Sequence, residues 1–409
     1  MSADVVIAGA GPAGVATAIA LVNRDPRLVG RIVVFDRARF PRSKPCGGGL
    51  TGHARAALDA LGLQVRVPLV PCDEGRIVFG RLERDVRLQR PVDVIRREEF
   101  DADLVAQARE RGISILESEG VAEFTVDDRA GLVRVKTTSG RLGSARVLVG
   151  ADGAGSRVRK ALMGDDAGIR PLRLFRAELP ATRDFGRRMI YDFSPMVEGL
   201  RGYVWLFPVA GGLVNVGVMH YPSQRLSGGA LEDLLRRSLR RYGIEVGDAA
   251  RGWPAWAYDP RAKIAAPHIL CVGDAAGIDA LTGEGIAVGL EQGIVAADAI
   301  INALGTKDFR FAGYRQAVRR AVVGRELALD RRLASLLYGS SRGSRLWLSL
   351  VMFDRRMQEL YGARVSGSMV LADHGRDLVG ALARHAWRAP SRLRRLTANL
   401  PAWAVSNAL

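Results

Sequence analysis

A glycine-rich turn between two apolar runs restricts the fold of this chain more than any other feature. Residues 4–8 form the first run, Gly9-Ala10-Gly11-Pro12-Ala13-Gly14 follows it, and a helical pattern continues to Val22. The second run, residues 31–35, ends at Asp36. A strand, a G-x-G-x-x-G turn, a helix, a strand and an acidic residue in this order predict a Rossmann-like α/β unit that binds a dinucleotide.

Each residue of this turn has a mechanical role. Gly9 permits the tight turn, Gly11 lets the backbone approach a pyrophosphate, and Gly14 lets helix and strand pack closely. The helix N-terminus offers free N–H groups to the phosphates. Asp36 can accept hydrogen bonds from a ribose hydroxyl. These features alone do not distinguish NAD from FAD.

Two further glycine motifs follow apolar runs later in the chain. Residues 145–150 precede Ala151-Asp152-Gly153, and residues 268–272 precede Gly273-Asp274. Gly283-Glu284-Gly285-Ile286 then opens a long Gly/Ala-rich helical run. A single dinucleotide domain does not need all three motifs, whereas a cofactor with two ends does. The three motifs together therefore predict FAD.

In this order, the motifs make residues 4–300 resemble the para-hydroxybenzoate-hydroxylase-type FAD-dependent oxidoreductase superfamily. The resemblance implies that Asp36 binds the adenosine ribose and Asp274 the ribityl or pyrophosphate segment. It also implies that Gly285-Ile286 face the pyrimidine end of the flavin, where a helix N-terminus would raise the reduction potential. It places Arg97 near the cofactor, the alternative being a solvated arginine at a helix start. The expected cofactor-binding residues are Gly9, Gly11, Pro12, Ala13, Gly14, Asp36, Arg37, Lys44, Cys46, Gly47, Gly48, Arg97, Val121, Asp152, Gly153, Gly273, Asp274, Gly283, Gly285 and Ile286.

A loop at residues 40–52, F-P-R-S-K-P-C-G-G-G-L-T-G, narrows the resemblance. Three successive glycines suit a loop pressed against a flat ring, and Arg42 and Lys44 can neutralise phosphate; the alternative is a flexible surface loop. The P-R-x-K-x-C-G-G-G-L pattern resembles the geranylgeranyl reductase family, which saturates isoprenoid carbon–carbon double bonds with reduced FAD. The family's second pattern, P-x-x-Y-x-W-x-F-P, is matched at residues 203–208, although Leu200 replaces the first proline.

The second pattern also predicts a substrate wall. Tyr203, Trp205 and Phe207 alternate, so they share one face of a strand and suit a polyene chain, the alternative being ordinary sheet core. Saturating an alkene needs a proton as well as a hydride, and Cys46 is the first candidate donor, with Tyr203 the second. The alternative for Cys46 is a small residue that fits the turn.

Other functions share the nucleotide motifs. A flavin monooxygenase or halogenase is the main alternative, but the halogenase pattern W-x-W-x-I-P is absent in strict form. A flavin-binding electron carrier is a weaker hypothesis, because such a protein does not need the apolar pocket that the aromatic strand predicts. For a reductase, the electron donor would be NAD(P)H or a ferredoxin-like carrier.

Charge and cysteine content limit the partners and the compartment. The net charge is +17, and all but five of the 60 basic residues are Arg, which reflects either codon bias or attraction to anionic partners. The sequence has no run of basic residues interleaved with aromatic ones, which is the pattern that would suggest nucleic-acid binding. Three widely spaced cysteines and five scattered histidines predict a cytoplasmic protein without a disulfide framework or a metal site. Pro12 and the Gly-Ala steps make residues 5–22 neither a signal peptide nor a membrane span.

Three parts are predicted along the chain. A discontinuous FAD-binding domain comprises residues 1–67, 97–165 and 262–310, and an inserted antiparallel substrate sheet comprises residues 68–96 and 166–261. Residues 311–409 form a helical region, with amphipathic helices at 311–340 and 344–385. Its last part, residues 381–409, has five Arg, Trp387, Trp403 and no acid. This composition suits peripheral contact with an anionic membrane at its inner face, the alternative being a solvated cap over the substrate cavity.

Overall fold

Two sheets organise the protein in the computed structural model, which describes residues 2–164, 171–221, 226–247 and 249–399. The first sheet contains, in the described part of the chain, β1 (Ser2–Ala8), β2 (Ile32–Phe35), β6 (Ser114–Leu116), β7 (Val121–Asp127), β8 (Leu132–Thr137), β9 (Leu142–Gly150), β15 (Ala265–Ala266) and β16 (Ile269–Cys271). Their order is β15-β16-β9-β1-β2-β6, and the β7–β8 hairpin extends from β9.

The parallel core of this sheet is buried on both faces. Val5, Val6 and Ile7 of β1 are fully buried, as expected for a strand covered by helices on each side. β1 runs parallel to both β2 and β9, and β9 runs parallel to β16. Because the carboxyl ends of these strands meet at one edge, the three glycine motifs that follow β1, β9 and β16 converge there.

The second sheet is antiparallel except for one parallel pair of strands, Leu69–Phe79 beside Arg188–Asp192. Its strands are β3 (Gly49–Leu50), β4 (Leu69–Phe79), β5 (Leu82–Ile95), β10 (Leu172–Pro180), β11 (Arg188–Asp192), β12 (Gly202–Val209), β13 (Leu213–His220) and β14 (Arg251–Ala255). They follow the order β14-β10-β13-β12-β11-β4-β5-β3. Every residue of β12 is buried, because Val204 and Leu206 pack in one apolar cluster with a helix while Tyr203, Trp205 and Phe207 belong to another.

Helices cover both sheets and form the last quarter of the chain. They are α1 (Pro12–Arg24), α2 (Gly52–Ala60), α3 (Arg97–Glu110), α4 (Arg157–Met163), α5 (Gly228–Arg240), α6 (Ile286–Thr306), α7 (Tyr314–Arg320), α8 (Val322–Gly339), α9 (Ser341–Phe353), α10 (Arg355–Val365) and α11 (Gly375–Ala398). The two long C-terminal helices expected from periodicity are in fact shorter pieces. The first breaks at Ala321, between α7 and α8. The second breaks at Asp354, whose side chain accepts a hydrogen bond from the Met357 amide and so starts α10, and again after Val365, where α10 ends. Ser340 starts α9 in the same way, by accepting a hydrogen bond from the Gly343 amide.

The α/β fold class, with an antiparallel second sheet and a helical C-terminal region, is confirmed. The boundaries of the three predicted parts stay predictions, and β3, which lies inside residues 1–67, pairs with β5 in the second sheet. By length and apolar content α6 resembles a membrane span, but 61% of its apolar window is buried within the protein, as in a core helix.

Candidate cofactor and substrate site

A cavity of about 430 Å³ lies where the three glycine motifs converge. We call it the cofactor cavity. Every residue expected to bind the cofactor lines it except Gly14 and Gly48. These residues come from six separate stretches of the chain and are brought together in the fold, as a cofactor with two ends requires.

Gly11 and Gly14 show that the turn is shaped for a ligand. A Cβ added to Gly11 would meet only the terminal Nη2 of Arg42, at 3.4 Å. A Cβ added to Gly14 would lie 1.9 Å from the carbonyl oxygen of Gly9, so Gly14 is needed for packing rather than for the ligand. Gly11 is the N-cap of α1 and provides no side chain to cap it, and Pro12 and Ala13 of the first turn line the cavity, so the N-terminus of α1 lies where a phosphate would bind.

Asp36 holds the turn and keeps capacity for a ribose. Its Oδ2 accepts a hydrogen bond from the Ala10 amide and its Oδ1 accepts one from the Ala38 amide, both at 2.8 Å. Each carboxylate oxygen has two lone pairs, so both oxygens retain an acceptor site. Asp152 likewise accepts one bond on each carboxylate oxygen, from the Ser156 hydroxyl and the Arg157 amide.

Basic side chains outnumber acids around the middle of the cavity. Arg97 forms a bidentate pair with buried Asp101, at 2.8 Å for both bonds, and Arg42 lies 3.1 Å from the same carboxylate. Lys44 Nζ lies 3.1 Å from Asp274. Burial opposes the charge on Asp274, but Lys44, Arg97 and Arg42 outweigh it and lower the pKa of that carboxyl. Three cations beside two carboxylates leave an excess positive charge that fits a pyrophosphate.

The far end of the cavity is formed by the turn at residues 279–285. Gly283, Gly285 and Ile286 line the cavity, and α6 begins at Ile286 with Gly285 as its N-cap. Gln292, one to two turns into α6, accepts a 2.7 Å hydrogen bond from the Gly273 amide and so fixes the G-D motif against the helix. The residues present therefore fit FAD along the whole cavity.

A second cavity, of about 100 Å³, adjoins the first. We call it the aromatic cavity. Its walls include all three predicted substrate residues together with Tyr191 and Met189. Tyr191 lies 5.6 Å from Tyr203 and 5.2 Å from Phe207 between ring centroids. The residues that line both cavities are Cys46, Gly47, Leu174, Trp205, Gly283, Gly285 and Ile286.

Cys46 lies at this junction, held by its neighbours. Its carbonyl accepts a 2.7 Å hydrogen bond from Asn215, whose own oxygen accepts one from Trp205 Nε1 at 2.9 Å. Its sulfur contacts the Gly48 amide at 3.4 Å and the Arg97 guanidinium. Although burial opposes the charge on Arg97, Asp101 and Cys46 raise the pKa of the guanidinium, which therefore stays a cation beside the sulfur.

Tyr203, the second candidate donor, has its hydroxyl engaged. The O–H donates to the carbonyl of Thr282, in the turn before α6. Burial raises the pKa of this phenol well above its ordinary value. Tyr203 is thus placed as a wall of the aromatic cavity and a support for the turn.

Sequence reasoning missed three residues of this site. These are Asn215, Glu284 and Arg364. Asn215 and Arg364 are buried, the Glu284 side chain is 9% exposed, and the last two residues line the aromatic cavity. Glu284 carried a signal, since it stands between two glycines expected at the flavin. Asn215 and Arg364 carried none, because Cys46 and Glu284, the site residues that they bind, are 169 and 80 residues away along the chain.

Comparison with known proteins agrees with the site. Residues 2–172 match the family model described as an FAD binding domain. The menaquinone reductase of Mycolicibacterium smegmatis is 31% identical, over 82% of this chain and 84% of that protein. The digeranylgeranylglycerophospholipid reductase 2 of Methanopyrus kandleri is 26% identical, over 75% of this chain and 79% of that protein. A geranylgeranyl bacteriochlorophyll reductase-like structure from Thermoplasma acidophilum has a TM-score of 0.68 at 19% identity, covering 98% of this chain and 99% of that one, and so shares the fold.

Proposed function

This chain belongs to the FAD-dependent oxidoreductase family that includes menaquinone and digeranylgeranylglycerophospholipid reductases, and we propose that it reduces carbon–carbon double bonds of an isoprenoid chain. The substrate would be a prenylated lipid or the prenyl side chain of a quinone. One observation supports this most: the aromatic cavity and the cofactor cavity share seven lining residues, Cys46 and Gly283 among them, so an apolar chain in one would lie beside the ring end of FAD in the other.

Reduced FAD, when bound, supplies a hydride to one alkene carbon. The other carbon needs a proton, and we assign its delivery to Cys46 because this residue lines both cavities. Arg97 then balances the negative charge left on sulfur, since its guanidinium contacts that atom. Tyr203, Trp205 and Phe207 hold the chain and exclude water, because each is no more than 6% exposed. NAD(P)H or a ferredoxin-like carrier is the proposed source of the electrons.

The test is an anaerobic single turnover. The purified holoprotein is reduced with dithionite, freed of excess reductant and mixed with a geranylgeranyl-chain lipid. A fully saturated phytanyl-chain lipid is the matched control. We expect flavin reoxidation and a product heavier by two hydrogens with the unsaturated lipid only. A product that forms only when oxygen is admitted would replace this proposal with an oxygenase, the main alternative from the sequence.

A prenyl lipid would be met at a membrane, so we extend the proposal to peripheral contact at the cytoplasmic face. Arg376, Arg384 and Arg394 of α11 are exposed, and Val379 on the same helix is 64% exposed. The side chain of Trp387 and all of Trp403 lie outside the described residues. We expect the protein to sediment with anionic vesicles but not with neutral ones. A protein that sediments with neither kind of vesicle would contradict the membrane role.

A further inference from the structure

A buried ionic cluster joins the C-terminal helices to the turn before α6. Arg364, at the end of α10, has a side chain only 4% exposed. Its Nη1 lies 3.1 Å from Oε2 of Glu284, its Nε lies 2.7 Å from Oε2 of Glu326, and its Nη2 lies 2.5 Å from Oδ2 of Asp330. The last two acids are on α8, so the guanidinium connects two C-terminal helices with the turn.

Glu284 links this cluster to both loops that face the cofactor cavity. Its neighbours in sequence, Gly283 and Gly285, line that cavity. Its Oε1 accepts a hydrogen bond from the hydroxyl of Thr51, two residues after the C-G-G-G run. The same turn is also held from α8, where the Tyr338 hydroxyl donates to the Leu281 carbonyl at 3.0 Å. A carboxylate is thus fixed next to the expected position of the flavin.

The charges in the cluster are unequal. Burial and the neighbouring Asp279 raise the pKa of Asp330 well above its ordinary value, and Arg364 opposes this rise. Burial opposes the charge on Arg364, but the carboxylates around it outweigh that effect and raise its pKa, so the guanidinium stays charged. Arg364 is therefore a cation that Glu284 shares with the two acids of α8, Glu326 and Asp330.

We propose that Arg364 is a positioning residue for the flavin: it holds Glu284 in place, offsets its charge and so sets the reduction potential of the bound cofactor. The inference rests on FAD binding and not on which substrate the protein reduces. It also gives the C-terminal helices a role beyond covering the substrate, since they supply a charge that acts at the cofactor.

Opposite changes in charge predict opposite shifts in potential. Reduced flavin carries negative charge, so a nearby carboxylate disfavours it and a nearby cation favours it. Arg364→Met leaves Glu284 uncompensated and should lower the potential. Glu284→Gln removes the negative charge with little change in shape and should raise it. A purely structural role would move both variants in the same direction, because both lose the same ion pair.

The experiment measures the flavin midpoint potential by reduction against reference dyes. The proteins are wild type, Arg364→Met, Arg364→Lys, Glu284→Gln and the Arg364→Met/Glu284→Gln double variant, each loaded with FAD at alkaline pH to keep the carboxylates ionised. We expect a negative shift for Arg364→Met, a positive shift for Glu284→Gln, a value near wild type for Arg364→Lys, and an intermediate value for the double variant.

Two controls keep the outcome decisive. FAD affinity and thermal unfolding are measured for every variant, so that loss of cofactor is not read as a change in potential. Shifts of the same sign in the two single variants, or no shift in Glu284→Gln, would overturn the proposal. If Arg364→Met does not fold, Glu284→Gln and Arg364→Lys still decide it. Because no substrate is present, failure of the isoprenoid proposal would not affect this result.

Discussion

Cys46 is the residue on which the proposed chemistry most depends. Its sulfur lies where the two cavities meet and contacts a guanidinium. If Cys46 gives the proton, Cys46→Ala should bind FAD but oxidise it about 10² to 10⁴ times more slowly on addition of the alkene, the usual contribution of a general acid. Anaerobic stopped-flow measurement of single-turnover flavin oxidation gives this rate.

Cys46→Ser is the matched variant for this prediction. Serine is close to cysteine in size but is a far weaker acid, so it should recover little of the rate. Full activity in the serine variant would show that Cys46 only shapes the loop and that another group gives the proton. FAD content must be measured first, because loss of cofactor in either variant would also slow the reaction.

Glu291, on α6, makes stability depend on pH. Burial and the nearby Glu284 raise its pKa to about 7 from an ordinary value of 4.5. A raised carboxyl pKa means that the folded state holds a proton the unfolded state has lost, so stability falls as pH rises from about 4.5 to about 7. Glu291→Gln, which mimics the protonated form, should therefore stabilise the protein by about 1–3 kcal/mol at pH above 7 and by little at acidic pH.

Urea unfolding of wild type and Glu291→Gln at both ends of this range provides the measurement. Glu291→Asp, which keeps the charge, serves as the control and should not give the gain at high pH. An equal effect of the glutamine substitution at both pH values would mean that folding does not raise the pKa of Glu291.

At the scale of single residues, the sequence predicted those site residues that stand in a recognisable local motif. The glycine motifs, Asp36 and Cys46 were visible because each stands at a fixed place relative to a strand or turn. Arg364 was not visible, because its partner Glu284 is 80 residues away and only the folded chain brings them together. Asn215 was missed for the same reason, since nothing in an apolar strand marks one amide as the link to Cys46.

In the strand–turn–helix element formed by β1 and α1, one glycine is needed for ligand binding and another for folding. At Gly11 a side chain would project into the cofactor cavity, whereas at Gly14 it would collide with the Gly9 carbonyl. We therefore expect Gly11→Val to fold but to purify without FAD, and Gly14→Val to fold poorly. Circular dichroism and the ratio of flavin to protein absorbance distinguish the two outcomes.

Gly305 offers a control for this pair. It lies in the last turn of α6, and a Cβ there meets nothing within 4 Å, so Gly305→Val should retain both fold and flavin. Normal FAD stoichiometry in Gly11→Val would contradict the assignment of the cofactor cavity.

Elements were easier to predict near the motifs than in the C-terminal region. The strands and helices around the glycine turns agree with the sequence to within a few residues, because turn and periodicity point the same way. The expected helix at residues 311–340 instead breaks at Ala321, and Ser340 and Asp354 begin new helices. Apolar periodicity continues across these breaks, so periodicity alone does not reveal them, although Ser and Asp are the residues that favour helix starts.

At the scale of the whole molecule, the C-terminal helices complete the core of the second sheet. Leu337, Trp347 and Leu350 belong to the same buried cluster as the aromatic wall. A chain ending at residue 310 would expose this cluster, and an apolar patch of that kind promotes aggregation. We expect the truncated protein to be insoluble or to bind the dye ANS strongly, as judged by sedimentation and fluorescence beside the full chain. A soluble, flavin-loaded truncated protein would show instead that the helices are an independent addition.

The order of strands in the first sheet has a consequence for synthesis of the chain. β1 leaves the ribosome first, but it pairs with β9, and β9 in turn pairs with β16, whose last residue is Cys271. At about 5–20 residues per second, roughly 15–50 s pass before the last of these strands exists. Protease digestion of ribosome-stalled chains ending before and after Cys271 would show whether protection appears only in the longer ones. During that interval the nascent amino-terminal half carries an open parallel strand edge, which makes it a natural client for chaperones that bind unpaired strands.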